Sequence, residues 1–270
     1  MANKIGKCAL CGKIEPLTFE HIPPKSAFNI RPVKPIKLHD KIGDSERLPW
    51  EIKGLQFSNL QKGMGKWSLC KECNSKTGTW YGTEYAEIAH VAYKAIKEYK
   101  TFDHPGNNYL LTLTGVHPLR FIKQVFSMFC SVNDPDDGRF DEIREFVLVR
   151  DKYGIDIKKY KLCMYFTDSH FRKACGEMGI VRILPDGSTD LVFMSEIAAA
   201  PLGFILYLDP SDSYPYSGFD ITNCAAHKYD EMCDLKMPFI MYEVNTVFPE
   251  DYRSKKEIIE NREKCKKTEK

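Results

Sequence analysis

Hydrophobic and polar residues alternate over residues 16–22, the stretch PLTFEHI. A period of two is typical of a half-buried β-strand, so we predict a strand here, with His21 on one face and Glu20 on the other. The rest of the first 82 residues has little regular periodicity. Residues 29–58 are polar and interrupted by prolines, which predicts an inserted loop with room for one short hairpin.

Stronger patterns follow from residue 83 onwards. Apolar residues recur every three or four positions over 83–99, which predicts an amphipathic helix that begins near Thr83. The apolar stretch 118–132 predicts a second helix. The stretch PDGSTD at 185–190 predicts a hairpin turn. Five segments are typical of β-strands: 108–116, 145–151, 162–168, 179–184 and 202–209.

These patterns predict an α+β protein in three parts. Residues 1–82 form a small N-terminal unit, and residues 83–255 form an α+β domain with mostly antiparallel strands. Residues 256–270 form a charged tail, predicted as a short helix that frays. The sequence leaves the role of residues 100–270 open between recognition, regulation and dimerisation, so a homodimer is one possibility.

The net charge of +2 conceals an uneven distribution. Residues 1–82 carry 14 Lys and Arg against 7 Asp and Glu, whereas residues 83–270 carry 25 against 30. A basic N-terminal part suits a polyanionic partner such as nucleic acid, although a solvated charged surface would show the same bias. No apolar run is long enough to span a bilayer, and the first residues lack the apolar core of a signal peptide. We therefore expect a cytoplasmic protein without membrane contact.

Four of the ten cysteines form two pairs with identical spacing, Cys8 with Cys11 and Cys70 with Cys73. Two such pairs can supply four thiolates in a tetrahedron, which is the closed shell of a structural Zn²⁺ site. We predict that this zinc ties the two stretches together across the polar loop. The alternatives are coincidence and a redox pair.

Zinc binding by these cysteines would bring Asn74, which follows Cys73, towards the strand that carries Glu20 and His21. Glu20 and Asn74 offer oxygen ligands suited to a catalytic Mg²⁺ or Mn²⁺. His21 would stay unligated and take a proton from water, so the three residues together could hydrolyse a phosphodiester. Pro23 and Pro24 would keep the chain extended after the strand.

Each residue also has a plainer interpretation. His21 could be satisfied inside a small core, Glu20 could lie on the surface of the strand, and Asn74 could cap a helix.

These motifs resemble the zinc-clipped branch of the HNH endonucleases, the ββα-metal fold. The resemblance covers residues 8–80, through Cys-x-x-Cys-Gly, EHIPP and LCKECNSKTG in that order. More particularly, this part of the chain is similar to a bacterial subgroup of that family whose members carry the motifs EHIPP and LCxxCN. The resemblance implies that His21 is the general base, that Glu20 and Asn74 bind a divalent ion, and that a helix starts around Cys73–Asn74.

The chain departs from the family pattern in three ways. The acidic residue is Glu20 rather than the more frequent Asp, and 52 residues separate His21 from Asn74. The family also has a middle asparagine a few residues before the second cysteine pair. The candidate here is Asn59, which lies 11 residues before Cys70.

The sequence thus predicts a metal-dependent endonuclease that cuts DNA through His21, Glu20 and Asn74, with DNA favoured over RNA only by analogy. One rival is a catalytically silent zinc module that binds nucleic acid or protein. Another places the activity in the C-terminal domain, with the zinc unit as an accessory.

Overall fold

The computed structural model describes residues 4–36, 47–52, 54–55, 59–101, 109–183, 186–211 and 213–268. The predicted inserted loop at 29–58 lies partly outside these residues. Within its described part, Val33 pairs with Leu60, which lies just beyond the loop, in an antiparallel bridge.

The N-terminal residues form a three-stranded antiparallel sheet. Its strands are β1 (Ile5–Lys7), β2 (Ile14–His21) and β3 (Gly65–Cys70), in the order β1–β2–β3. The predicted strand at 16–22 is confirmed as β2. Opposite Thr18 and Phe19 the register shifts by one residue, so the strict alternation of faces is broken there.

A long helical run starts directly after β3. It comprises α1 (Lys71–Thr77), a π-helical segment (Gly78–Gly82) and α2 (Thr83–Tyr99), with right-handed helical backbone at both junctions. The predicted helix at 83–99 is confirmed as α2. The predicted domain boundary between residues 82 and 83 falls within this run, and the division into domains stays a prediction.

Two further helices follow a short strand. Strand β4 (Leu110–Val116) leads into α3 (Pro118–Val132), both as predicted, and α4 (Asp141–Leu148) comes next. The predicted strand at 145–151 is wrong, because most of that stretch lies in α4. Short apolar runs do not distinguish strand from helix. Here Ile143, Phe146 and Val147 have helical spacing and are fully buried.

The second half of the chain is built on a five-stranded sheet. Its strands are β5 (Tyr160–Phe166), β6 (Lys173–Ile183), β7 (Thr189–Ala199), β8 (Leu202–Leu208) and β9 (Phe219–Asp220). They pair antiparallel in the order β6–β7–β8–β5–β9. Strand β10 (Cys233–Pro238) pairs with β4, and the tail forms α5 (Lys255–Thr268). The fold is therefore α+β with mostly antiparallel sheets, as predicted.

Helix α3 lies at the centre of the hydrophobic core. Most of its apolar residues, including Phe121, Phe126 and Phe129, are completely buried. The same core extends from Leu69 of β3 and from Cys8, which follows β1, to Phe204 of β8. This continuity packs α3 against β3 of the N-terminal sheet.

Candidate active site

The four predicted cysteines converge at one end of the N-terminal sheet, where they form a four-cysteine group. Cys8 and Cys11 lie in the turn between β1 and β2. Gly12 closes this turn: its φ is +72°, and its N–H donates a hydrogen bond to the Cys8 carbonyl. Cys70 ends β3, and Cys73 lies in the first turn of α1. All four sulfur atoms lie within 4.8 Å of one another.

The spacing of the sulfurs suits a tetrahedral metal ion. The Cys11 and Cys70 sulfurs are 3.9 Å apart, close to the ~3.8 Å edge expected around a zinc that lies about 2.3 Å from each sulfur. The Cys70 N–H donates to the Cys8 sulfur at 3.3 Å, and a hydrogen bond from Cys73 lowers the pKa of Cys8. Thiolates are the form that binds metal. The four-cysteine group could therefore hold a metal ion such as zinc.

Glu20, His21 and Asn74 line a single cleft with a volume of about 390 Å³. Glu20 and His21 reach it from the end of β2, and Asn74 reaches it from α1. Helix α1 begins directly after Cys70, so the second cysteine pair and Asn74 share one short segment. The structure thus brings together the three residues that the sequence singled out, beside the four-cysteine group.

Glu20 is a buried carboxyl group, with 7 % of its surface exposed. Burial raises its pKa to about 8, because the charged form loses hydration that the protein does not replace. The described residues provide it with no ion-pair partner. It is therefore not the surface residue of the plainer interpretation, and a cation in the cleft would offset the cost of its charge.

The His21 ring is oriented by the main chain. Its Nε2 lies 3.1 Å from the Lys62 carbonyl, which can only accept, so Nε2 carries the proton and Nδ1 is the basic nitrogen. The Phe19 ring meets it edge to face at 5.2 Å. Burial, followed by the positive charges of Lys25 and Lys62, lowers the pKa of His21 from its usual 6.5. A neutral ring with a free basic nitrogen suits a proton acceptor.

The side-chain amide of Asn74 is held in one orientation by Thr18. The Thr18 hydroxyl donates to the Leu69 carbonyl at 2.8 Å and accepts from Asn74 Nδ2 at 2.8 Å. A flipped amide would place the Asn74 oxygen against a hydroxyl oxygen whose hydrogen is already used. Among the described residues no donor meets the Asn74 oxygen, so it is available as a ligand. Within that part of the chain, no side chain caps the N-terminus of α1.

A buried asparagine that the sequence analysis missed holds the surrounding backbone. Asn29 donates to the carbonyls of Pro23 and Met64, both at 2.7 Å, and accepts from the Met64 N–H at 2.8 Å. It also accepts from Arg172 at 2.8 Å. The predicted middle asparagine, Asn59, is exposed. Position in the motif pointed to Asn59, and no local pattern marks Asn29.

The chain bends directly after His21. Residues 22 and 23 form a bend at a cis Ile22–Pro23 bond, and residues 25–30 form turns. The prediction that Pro23 and Pro24 keep the chain extended is wrong, since proline fixes φ but not ψ. The bend returns the chain across the cleft, so that Pro24 and Lys25 also line it.

Comparisons with protein-family models, curated proteins and solved structures give no significant match to this chain. Among the described residues, no helix combines the length and the apolar character needed to cross a bilayer.

Proposed function

We propose that this protein is a metal-dependent nuclease. The observation that carries the proposal is the shared cleft: a buried carboxyl group, a neutral imidazole and an oriented amide oxygen line it beside a four-cysteine group. These are the side chains that hydrolysis of a phosphodiester needs. The more particular proposal is an HNH-type endonuclease that cuts DNA.

The donor set fits a hard divalent ion. Glu20 is buried without a cationic partner among the described residues, and the free Asn74 oxygen is a second hard ligand. A bound Mg²⁺ or Mn²⁺ would stabilise the negative charge that develops on the phosphate and on the leaving oxygen.

His21 supplies the base. Its Nδ1 takes a proton from a water molecule while the water oxygen forms a bond to phosphorus. The bond from phosphorus to the leaving oxygen breaks, and that oxygen gains a proton from solvent. The hydrogen bond from Nε2–H to the Lys62 carbonyl keeps the ring in the required orientation and disperses the positive charge it acquires.

Lysine side chains near the base favour a polyanionic substrate. Lys25 lines the cleft, and the charges of Lys25 and Lys62 both act on His21. Phosphate contacts of this kind give affinity that is independent of sequence and weakens with salt. The excess of basic residues over 1–82 is consistent with this role.

The test is cleavage of supercoiled plasmid by the full chain with Mg²⁺ or Mn²⁺. We expect nicked or linear product, no product in EDTA, and a rate about 10²–10⁴-fold lower for His21→Ala. His170→Ala is the matched control, because His170 is exposed and does not line the cleft; its rate should equal that of the wild type.

Two results would contradict the proposal. If the protein binds DNA but does not cut it with either Mg²⁺ or Mn²⁺, the result would support the catalytically silent zinc module. Unchanged cutting by a folded, zinc-loaded His21→Ala variant would place the activity elsewhere in the chain.

A further inference from the structure

The cleft has a second wall, formed by helices from the part of the chain that follows residue 82. Thr83, Ala86, Glu87 and His90 of α2 line it, and so does Gln124 of α3. The N-terminal sheet and α1 therefore provide only one side of the site.

Gln124 is an unusual residue for its place in the fold. It lies in the middle of α3, between Phe121 and Phe126, and only 1 % of its surface is exposed. Its Oε1 is buried and has no hydrogen-bond donor among the described residues. Buried amide oxygens are normally satisfied, so an unsatisfied one in a side chain that lines a cleft indicates a missing partner.

The helix opposite leaves space for that partner. Gly82 ends the π-helical segment, and a Cβ added there would lie 3.8 Å from Gln124 Oε1. Gly78 and Gly82 both line the cleft, so neither position contributes a side chain to it, and none from Gly82 covers the Gln124 oxygen. Single π-helical turns inside α-helices are frequent at functional sites.

A small cation fits the Gln124 oxygen better than a nucleotide does. The oxygen is shut off from bulk water, and a neutral amide oxygen is a hard ligand of the same kind as that of Asn74. Within the described part of the chain, the four-cysteine group is the one cluster of three or more His, Cys, Asp or Glu side chains able to hold a metal. An ion at Glu20 would therefore complete its coordination with neutral oxygens, from side-chain amides and from water.

We infer that Gln124 is a further protein ligand of the divalent ion bound by Glu20 and Asn74, supplied by the helical part of the chain. This inference rests on the proposed function. It makes the site composite, so the N-terminal unit alone lacks one ligand.

The test measures Mn²⁺ binding to the zinc-loaded full chain by calorimetry and electron paramagnetic resonance. We expect Gln124→Leu to weaken Mn²⁺ binding about tenfold or more, and Gln124→Glu to bind at least as tightly as the wild type. Ser127→Ala is the matched control. Ser127 is also buried in α3 with an unpartnered oxygen but does not line the cleft, so its Mn²⁺ affinity should be unchanged.

Thermal unfolding separates a ligand from a structural residue. With zinc bound but no added Mg²⁺ or Mn²⁺, Gln124→Leu should unfold at the wild-type temperature or higher, because it removes an unsatisfied buried oxygen. Added Mn²⁺ should then raise its unfolding temperature less than that of the wild type. A zinc-loaded variant that is destabilised before Mn²⁺ is added and retains the full Mn²⁺ shift would overturn the inference.

The two proposals can fail separately. If Glu20→Gln abolishes Mn²⁺ binding and Gln124→Leu leaves it unchanged, only the role of Gln124 is wrong. If the wild type binds no Mn²⁺ beyond its zinc site, the proposed function fails and this inference fails with it.

Discussion

Replacing Asn29 with alanine should loosen the backbone that orients the proposed base. Asn29 is 1 % exposed and joins the turn after β2 to the residues before β3. Met64, which it holds through two hydrogen bonds, lies two residues after the carbonyl that orients His21. Gly63 lies between them with φ +99°, and a Cβ there would meet the Asn29 carbonyl oxygen at 2.3 Å.

The magnitude follows from the groups that lose a partner. The Pro23 carbonyl and the Met64 N–H each lose the Asn29 side chain. The half-buried Arg172 also loses it, but water can replace that bond. The Met64 carbonyl keeps its bond from the Ile22 N–H at 3.0 Å. Leaving a buried polar group unsatisfied costs about 1–3 kcal/mol, which gives about 2–6 kcal/mol for two groups. Water that enters the space left by the Asn29 side chain would satisfy part of these groups, which favours the lower half of that range. We therefore expect the free energy of unfolding to fall by about 2–4 kcal/mol.

The assay is equilibrium unfolding in urea, followed by plasmid cleavage at a temperature where the variant is folded. Asn29→Ala should lower the free energy of unfolding by this amount and also reduce the cleavage rate, because the Lys62 carbonyl is no longer fixed. Asn59→Ala is the control, since Asn59 is exposed, and it should lie within about 0.5 kcal/mol of the wild type. If Asn29→Ala matches that control in both measurements, the reasoning is refuted.

Three other predictions test the metal centre, the amide orientation and a buried charge. Cys70→Ser should lose the zinc found by elemental analysis and unfold at a lower temperature, while Cys265→Ser, at an exposed position, should do neither. Thr18→Val should keep zinc but cut DNA about tenfold more slowly, because Asn74 loses its orienting bond; an unchanged rate would contradict this. Burial lowers the pKa of Lys123 to about 7 in the folded protein. Between pH 7 and about 10, Lys123 is therefore protonated in the unfolded chain but largely neutral in the folded one. The unfolded chain binds more protons than the folded one, so the free energy of unfolding should rise with pH over this range. Lys123→Met should remove this rise, and an equal slope in both proteins would show that Lys123 is not its source.

Elements with a long, regular pattern were predictable from local sequence. Strand β2 follows from alternation, and α3 follows from a 15-residue apolar stretch with proline at its start. Helix α4 was not predictable in this way, because its eight residues mix charged and apolar positions. The helical conformation is instead stabilised by tertiary packing, because it buries Phe140, Ile143 and Phe146 in the core.

The residues of the candidate site also differ in whether the local sequence identifies them. Glu20, His21 and Asn74 could be named because residue type and motif order carry their chemistry. Asn29 and Gln124 could not, because their importance lies in contacts with residues far away in the chain, such as Met64 and Gly82. The one signal for Gln124 was a polar residue within an otherwise apolar helix, and that signal does not identify a partner.

By itself, the sequence determined the chemical inventory: two cysteine pairs with metal-binding spacing, an acidic–histidine pair at the end of a strand, and the helices and strands with clear periodicity. Only the tertiary structure decided that the cleft is shared between the N-terminal sheet and α3, and that Asn29 rather than Asn59 supports it. The physical reason is that spacing along the chain specifies local backbone and ligand geometry. Which buried polar groups meet, and which are left without a partner, depends on the packing of the whole core.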